Sequence, residues 1–337
     1  MGELRIGTSG WSYPSGPGKW NGIFYPGTRS KRAGTKDFDE LRYYAEHFDT
    51  VEVNSTFYGQ PRAEVTRQWV ERTPRAFEFS LKLYQKFTHP KMFKEASLRA
   101  AKSYGASAGQ AGDPFLNLLA QVTQADIDDY RAGIEPLARM GRIGALLAQF
   151  PASFKDTPAS REYVGQLLRK FSDYRIAVEL RHKSWSDGFG DTLALLNGFG
   201  AALVQIDEPK FRLSIRQNWL PNVTTFYYVR LHGRNAKHWW HHEHRDDRYN
   251  YLYSAAELQE FAETAGAAKD LVKKSYLYTN NHFAAKSVVN AVMLKAQLGE
   301  AIEGEYPPEL VDTYPEIKDL VTTATWSRVP QPSRLLS

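Results

Sequence analysis

Short apolar runs recur along the chain, and nearly every one finishes on charged or hydrogen-bonding residues: Leu4–Gly10, Thr50–Thr56, Phe77–Leu83, Ile143–Phe150, Arg175–His182, Ala201–Asp207, Phe226–Gly233 and Ser275–His282. Each has the length and the Val, Ile, Phe and Tyr content of a buried strand. Amphipathic stretches separate most of them. Asp37–His47 sets Leu41, Tyr44, Ala45 and Phe48 on one buried face, at the spacing of a helix. Ala63–Arg72 and Arg161–Phe171 read the same way. Ser254 with Glu257 is a capping box, in which each side chain satisfies a backbone donor at a helix start. Ala284–Leu298 is the last helix, with Gly299 as its left-handed cap. This alternation predicts an α/β fold, a (β/α)8 barrel of TIM type, with a helical insertion after strand 3.

The irregular stretches add to that picture. Residues 10–32 are rich in Gly, Pro, Trp and Tyr and follow strand 1, as a binding loop would. Residues 96–141 form the insertion, which contains a run of small residues, 104–113, followed by one or two helices; lid and flexible linker are equally good readings. After Ile302 the chain becomes Pro-rich and aperiodic, so 302–337 reads as a C-terminal extension wrapped on the outside or partly loose. A single domain, 1–337, accommodates all of this, because insertions commonly enlarge such barrels.

Candidate chemistry comes from strand parity. Alternate strand residues face opposite sides, and one set is consistently the more polar near the C-terminal ends. That set comprises Glu52 with Asn54, Ser80 with Lys82, Gln149, Glu179 with Arg181, Gln205 with Asp207, Arg230 with His232, and Asn280 with His282. TIM barrels place their catalytic groups at those ends and fill their interior with branched apolar residues, so inward charge points to a site. Glu52, Glu179, Asp207 and His232 are the acid–base candidates. Arg181 and Arg230 are anion clamps, and Asn54, Tyr58, Lys82, Asn280 and Trp11 are further substrate contacts. The competing reading is a structural network in which Arg181 pairs with Glu179 or Asp207 and no substrate is involved.

Five runs in order carry a resemblance: Ile6–Trp11, Val51–Tyr58, Ala177–Trp185, Tyr228–Arg234 and Thr279–His282. Over about residues 4 to 299 they resemble the signatures of the DUF72 (YecE-like) family. The resemblance implies a TIM-like barrel. That family has no settled activity, so no catalytic residue carries over from it.

Several chemistries can be weighed against these residues. Glu52, Glu179, Asp207 and His232 are admissible ligands for a divalent metal, but Lys82, Arg181 and Arg230 compete for the same carboxylates, so a metal is not favoured and the cofactor is unknown. The same cations suit a phosphate or carboxylate on a substrate. Paired carboxylates would also serve glycoside hydrolysis, given the right separation. The stretch His238–Asp247 holds four of the nine histidines, with no recognised metal spacing. Its Trp239 and Trp240, with Trp11, Tyr13, Trp20 and Tyr25, make either a stacking wall for a sugar or base or a packed hydrophobic loop. Gly16–Trp20 lacks the Ser or Thr of a phosphate loop, Gly7–Trp11 lacks the final glycine of a nucleophile elbow, and no dinucleotide fingerprint follows any strand.

Composition narrows the classes. Hydrophobic residues make up 42% and charged residues 24%, ordinary globular usage, and no segment has the apolar length of a membrane span. Zero cysteines exclude disulfides, thiolate metal sites and a cysteine nucleophile. With no basic and apolar leader at the start, the expectation is a cytoplasmic protein without a membrane partner. The net charge of +5 is modest, and no dense basic stripe accompanies it. The reading is a hydrolase or isomerase acting on an anionic or sugar-like small molecule; the alternative is a nucleic-acid-binding protein using its basic surface and aromatic loops. Oligomeric state is not fixed by the sequence.

Overall fold

A computed structural model of the chain describes residues 2–26, 38–103, 117–118, 120–239 and 244–325. Its main sheet contains β1 (Glu3–Ser9), β2 (Thr50–Val53), β3 (Glu78–Lys82), β4 (Ile143–Gln149), β5 (Ile176–Glu179), β6 (Ala202–Leu203), β7 (Gln205–Asp207), β8 (Phe226–Leu231) and β9 (Lys274–Thr279). The order is β6-β5-β4-β3-β2-β1-β9-β8-β7. β1 with β9, β3 with β4, β4 with β5 and β5 with β6 pair in parallel. Only Val204 separates β6 from β7, so the two ends of that order are consecutive pieces of one chain segment and the succession closes on itself. This is the α/β barrel of TIM type that the alternation predicts. The predicted runs Phe226–Gly233 and Ser275–His282, strands 7 and 8 of the pattern, are β8 and β9.

Backbone contacts divide the chain into two compact units, one of Met1–Val51, Ile206–Lys210 and Val229–Ser337, the other of Glu52–Gln205 and Phe211–Tyr228. In the first, the helix Lys286–Gln297 buries Val288, Val289 and Leu294 completely, and Ala255–Ala268 covers Leu258. In the second, the insertion contributes the helices Pro90–Ser103 and Gln124–Arg139, the latter burying Ile134 and Leu137. Its small-residue run, 104–113, lies outside the described residues. A buried apolar side chain contributes about 1.5–3 kcal/mol on leaving water, so these helix faces fix where the strand ends lie.

Local chemistry sets the boundaries. Asp39 accepts from Arg42 N and starts the first helix, whose regular turns run Glu40–Tyr44; Asp37, the expected start, is outside the described residues. Thr157 caps a helix with proline in its first turn, so Pro158–Lys170 begins one turn earlier than expected. The capping box of Ser254 and Glu257 is present. β2 ends at Val53 rather than Thr56, because Ser55–Tyr58 turns into a helix and the Thr56 hydroxyl donates to the Lys82 carbonyl, 2.6 Å away. The last helix starts at Lys286 rather than Ala284, since Ala284 and Ala285 take left-handed φ of 53° and 62°. Gly299 has the expected positive φ, 67°. The helix Phe189–Asn197 was not anticipated; the glycines at 188, 190, 198 and 200 interrupt its pattern. Past Ile302 the extension forms the two-stranded pair Glu305–Tyr306 and Thr322–Thr323 around the helix Pro308–Thr313. Among the described residues no helix is long and apolar enough to cross a membrane.

Candidate active site

Inward polarity starts within the strands. Glu52 on β2 and Tyr228 on β8 are both fully buried, and the tyrosine hydroxyl donates to the carboxylate Oε2 at 2.7 Å. β1 and β9 stand between those strands in the sheet order, so this bond joins strands that are not neighbours. Thr50 and Tyr278 meet in the same manner at 2.7 Å. Not every polar residue of the set is left to chemistry. Ser80 Oγ accepts from Ala145 N, and Gln205 Oε1 accepts from Trp219 N, whose backbone has a strained φ of 56°. At those two positions the side chain satisfies a backbone donor.

A first cluster forms in the second unit at the C-terminal ends of β3, β4 and β5. Lys82 ends β3, and Gln149 faces Glu179 across the β4–β5 ladder. Glu179 is completely buried, and its Oε1 accepts from Arg181 Nε at 2.7 Å. The Lys82 ammonium sits 4.1 Å from the centre of the Phe57 ring, a cation–π arrangement. Phe57 is supplied by the same Ser55–Tyr58 turn whose Thr56 hydroxyl bonds the Lys82 carbonyl. His89 meets the Phe57 ring edge-on, at 5.0 Å and 90°. Thr88 Oγ1 lies 2.9 Å from His89 Nδ1. Burial, then the charges of Lys82 and Arg181, push the His89 imidazole down to about 3 against the opposing pull of Glu179. His89 is therefore neutral at any physiological pH.

A second cluster forms in the first unit beyond β7, β8 and β9. Asp207, at the end of β7, accepts from Arg234 Nε at 2.8 Å and Nη2 at 3.2 Å, and from the Tyr253 hydroxyl at 2.7 Å. Arg234 reaches on to Glu257 and Glu260, at 3.4 and 3.1 Å. Burial alone would lower Arg234, but its hydrogen bond to Asp207, the Asp207 charge and the hydrogen bond to Glu260 together outweigh that and raise it. Burial and the Asp207 charge likewise lift the Tyr253 phenol well above its ordinary value. Arg230 and His232 follow on β8 and just past it; Arg230 Nη1 approaches His232 Nε2 at 3.4 Å, and Asn280 Nδ2 lies 2.8 Å from His232 Nδ1. Arginine and amide nitrogens only donate, and a neutral imidazole accepts at one nitrogen, so the two contacts are not both hydrogen bonds to one neutral tautomer.

The candidates therefore separate. Lys82, Glu179 and Arg181 are gathered in one unit, Asp207, Arg230, His232 and Asn280 in the other. Both Asp207 oxygens are engaged by Arg234 and Tyr253, which suits an anchor for the loop after β8 better than a proton acceptor. Asn54 is half-buried before the Ser55–Tyr58 turn, and Tyr58 projects into solvent at 46% exposure. Trp11 is half-buried, and its carbonyl accepts from the Tyr25 hydroxyl. Of the two readings of the aromatic loops, packing describes Trp20, Tyr25 and Trp239: all three are buried, and Trp20 Nε1 donates to the His282 carbonyl at 2.7 Å. Trp240 lies outside the described residues. His282 is itself held between Tyr13 and Tyr249, at 4.4 and 4.7 Å. Among the described residues no three His, Asp or Glu side chains are grouped to hold a metal ion.

Sequence reasoning missed Arg234, Tyr253 and His89. Arg234 closes the run Tyr228–Arg234 and Tyr253 immediately precedes the capping box, so position offered a signal for both. His89 offered only its place in the loop after β3.

The sequence profile described as "Protein of unknown function DUF72" matches residues 5–312. The chain is 24% identical over 319 residues to the UPF0759 protein YunF of Bacillus subtilis, covering 91% of this chain and 99% of that one. It is 28% identical over 181 residues to the UPF0759 protein YecE of Escherichia coli K12, covering 53% of this chain and 48% of the relative. Among solved structures, a DUF72 family protein of Thermotoga maritima superposes with a TM-score of 0.68 at 29% identity, over 88% of this chain and all of that one. A DUF72 family protein of Enterococcus faecalis gives 0.69 at 22% identity, over 90% and 98%.

Proposed function

The chain belongs to the DUF72 family, and on that premise we propose that it is a barrel enzyme of hydrolase or isomerase type, acting on a small anionic or sugar-like molecule. One observation carries the reading: Glu179 is fully buried at the end of β5, beside Arg181 and among the charges of Lys82 and a neutral His89. A buried carboxylate costs several kcal/mol to desolvate, about as much as a fold gains from its pairing, so a purely structural return is small. Fixed cations beside an acid–base group instead suit a reaction in which negative charge is bound and a proton moves. Arg181, at 16% side-chain exposure, reaches the solvent side and would orient a carboxylate or phosphate by paired N–H donors. Glu179 and Glu52 are the acid–base groups in this proposal.

The test is a thermal-shift screen of the purified protein against sugar phosphates, sugar acids, nucleotides, divalent metals and short oligonucleotides at two salt concentrations. A ligand at a hundredfold excess over its Kd stabilises by about 2.7 kcal/mol. A salt-resistant shift with one small-molecule class supports the enzyme. A shift with oligonucleotides alone, lost as salt rises, replaces it with nucleic-acid binding.

A further inference from the structure

We infer that His89 is the proton-transfer residue of this site, exchanging a proton through its Nε2 with a substrate whose carboxylate or phosphate group is held by Lys82 and Arg181. This rests on the preceding reading and adds the residue that moves the proton.

The geometry around His89 leaves one ring nitrogen for chemistry. Nδ1 is engaged by the Thr88 hydroxyl at 2.9 Å, whereas Nε2 has no hydrogen-bond partner among the described residues and is not one of the sealed buried polar atoms. The ring is fixed edge-on to Phe57, and Phe57 also seats the Lys82 ammonium at 4.1 Å, so one aromatic side chain positions base and cation together. Lys82 and Arg181 both act electrostatically on the ring, as does Glu179. These groups stand on different elements: the Ser55–Tyr58 turn, the end of β3, the loop after β3 and the end of β5.

Thr88 can serve both directions of transfer. When its hydroxyl accepts from Nδ1–H, Nε2 presents a lone pair and takes a proton from the substrate or from water. The imidazolium so formed keeps its Nδ1–H on the Thr88 hydroxyl and returns the other proton from Nε2, which restores the starting neutral ring. The imidazolium formed in between is disfavoured by Lys82 and Arg181 and gains from Glu179, so it is a transient carrier rather than a resting state. An anion held by the two cations offsets their repulsion of the charged ring, which couples substrate binding to proton uptake.

The experiment is acylation of histidines by diethyl pyrocarbonate, which attacks only the neutral ring, read residue by residue through peptide mass spectrometry. His89 is expected to react at a rate that changes less than twofold between pH 7.5 and 5.5. A free imidazole of ordinary pKa near 6.5 loses about tenfold over the same range. Inorganic phosphate or acetate should slow His89 at least fivefold, the more effective anion naming the substrate group. That protection should disappear in Lys82→Met, or in Arg181→Gln if the lysine variant does not fold. Absence of His89 acylation in the folded protein, a tenfold fall with pH, or failure of both anions to protect overturns the proposal. Failure of the enzyme reading itself would appear elsewhere, as the lack of any small-molecule stabilisation in wild-type protein.

Discussion

Arg234 grips Asp207 through two nitrogens, Nε and Nη2, at 2.8 and 3.2 Å, while the carboxylate is 4% and the guanidinium 32% exposed. The pair joins the end of β7 to the loop after β8, and Tyr253 completes it. Arg234→Met strands a buried carboxylate and should destabilise the protein by about 3 kcal/mol, the low end for broken buried pairs because the arginine is partly wet. Adding Asp207→Asn should recover part of the loss. Urea denaturation of the two single variants and the double variant checks this, and simple additivity would show that the two residues do not act as a pair.

Glu52 and Tyr228 give a second test. Tyr228→Phe removes a donor from a fully buried carboxylate and should cost about 1–3 kcal/mol. Glu52→Gln keeps an acceptor for the hydroxyl and should cost less. Equal losses in denaturant midpoint would mean that the bond contributes little.

Acid stability follows from His89 and His47, both of which burial holds below the ordinary imidazole value. The folded forms bind fewer protons than the unfolded chain, whose histidines titrate near 6.5. Their stability contribution is therefore present above that pH and is lost as pH falls below it, for His89 down to about 3. Between pH 7 and 5.5 the His89 share is about 1 kcal/mol. Denaturation of wild type and His89→Gln at both pH values should show a smaller acid loss in the variant; identical losses would place a charged imidazole at position 89.

Glu179→Gln should keep the fold, since the amide oxygen can still accept from Arg181 Nε, while abolishing turnover of any substrate found by the screen. Circular dichroism and a turnover assay check the two halves separately. Full activity in the variant would remove Glu179 from the acid–base set.

A third structural change probes the loop beside Asp207. Gly233 has φ of 90°, and a Cβ there would come within 2.8 Å of Tyr251 Cβ. Gly233→Ala should lower the melting temperature by several degrees through backbone strain of about 1–3 kcal/mol and displacement of its neighbours. An unchanged melting temperature would contradict the geometry.

Period and punctuation alone carried the barrel: strand-length apolar runs, helical spacing at Leu41 and Tyr44, and the Ser254–Glu257 box are local properties that need no tertiary information. Parity also put Glu52, Glu179, Asp207 and Arg230 on an inward set, because a strand cannot bury one face without aiming every second residue there. Tertiary structure decided which of them share surroundings. Residue spacing in sequence carries no information on the 176-residue separation that Tyr228 and Glu52 bridge, nor on Arg234 taking up both oxygens of Asp207. It likewise could not distinguish an exposed aromatic from a packed one, so Trp20 and Tyr25 allowed a binding wall and a packed loop alike, and burial decides for the packed loop. His89 was silent in the sequence because its neutrality comes from burial and from Lys82 and Arg181, charges brought to it only by the fold.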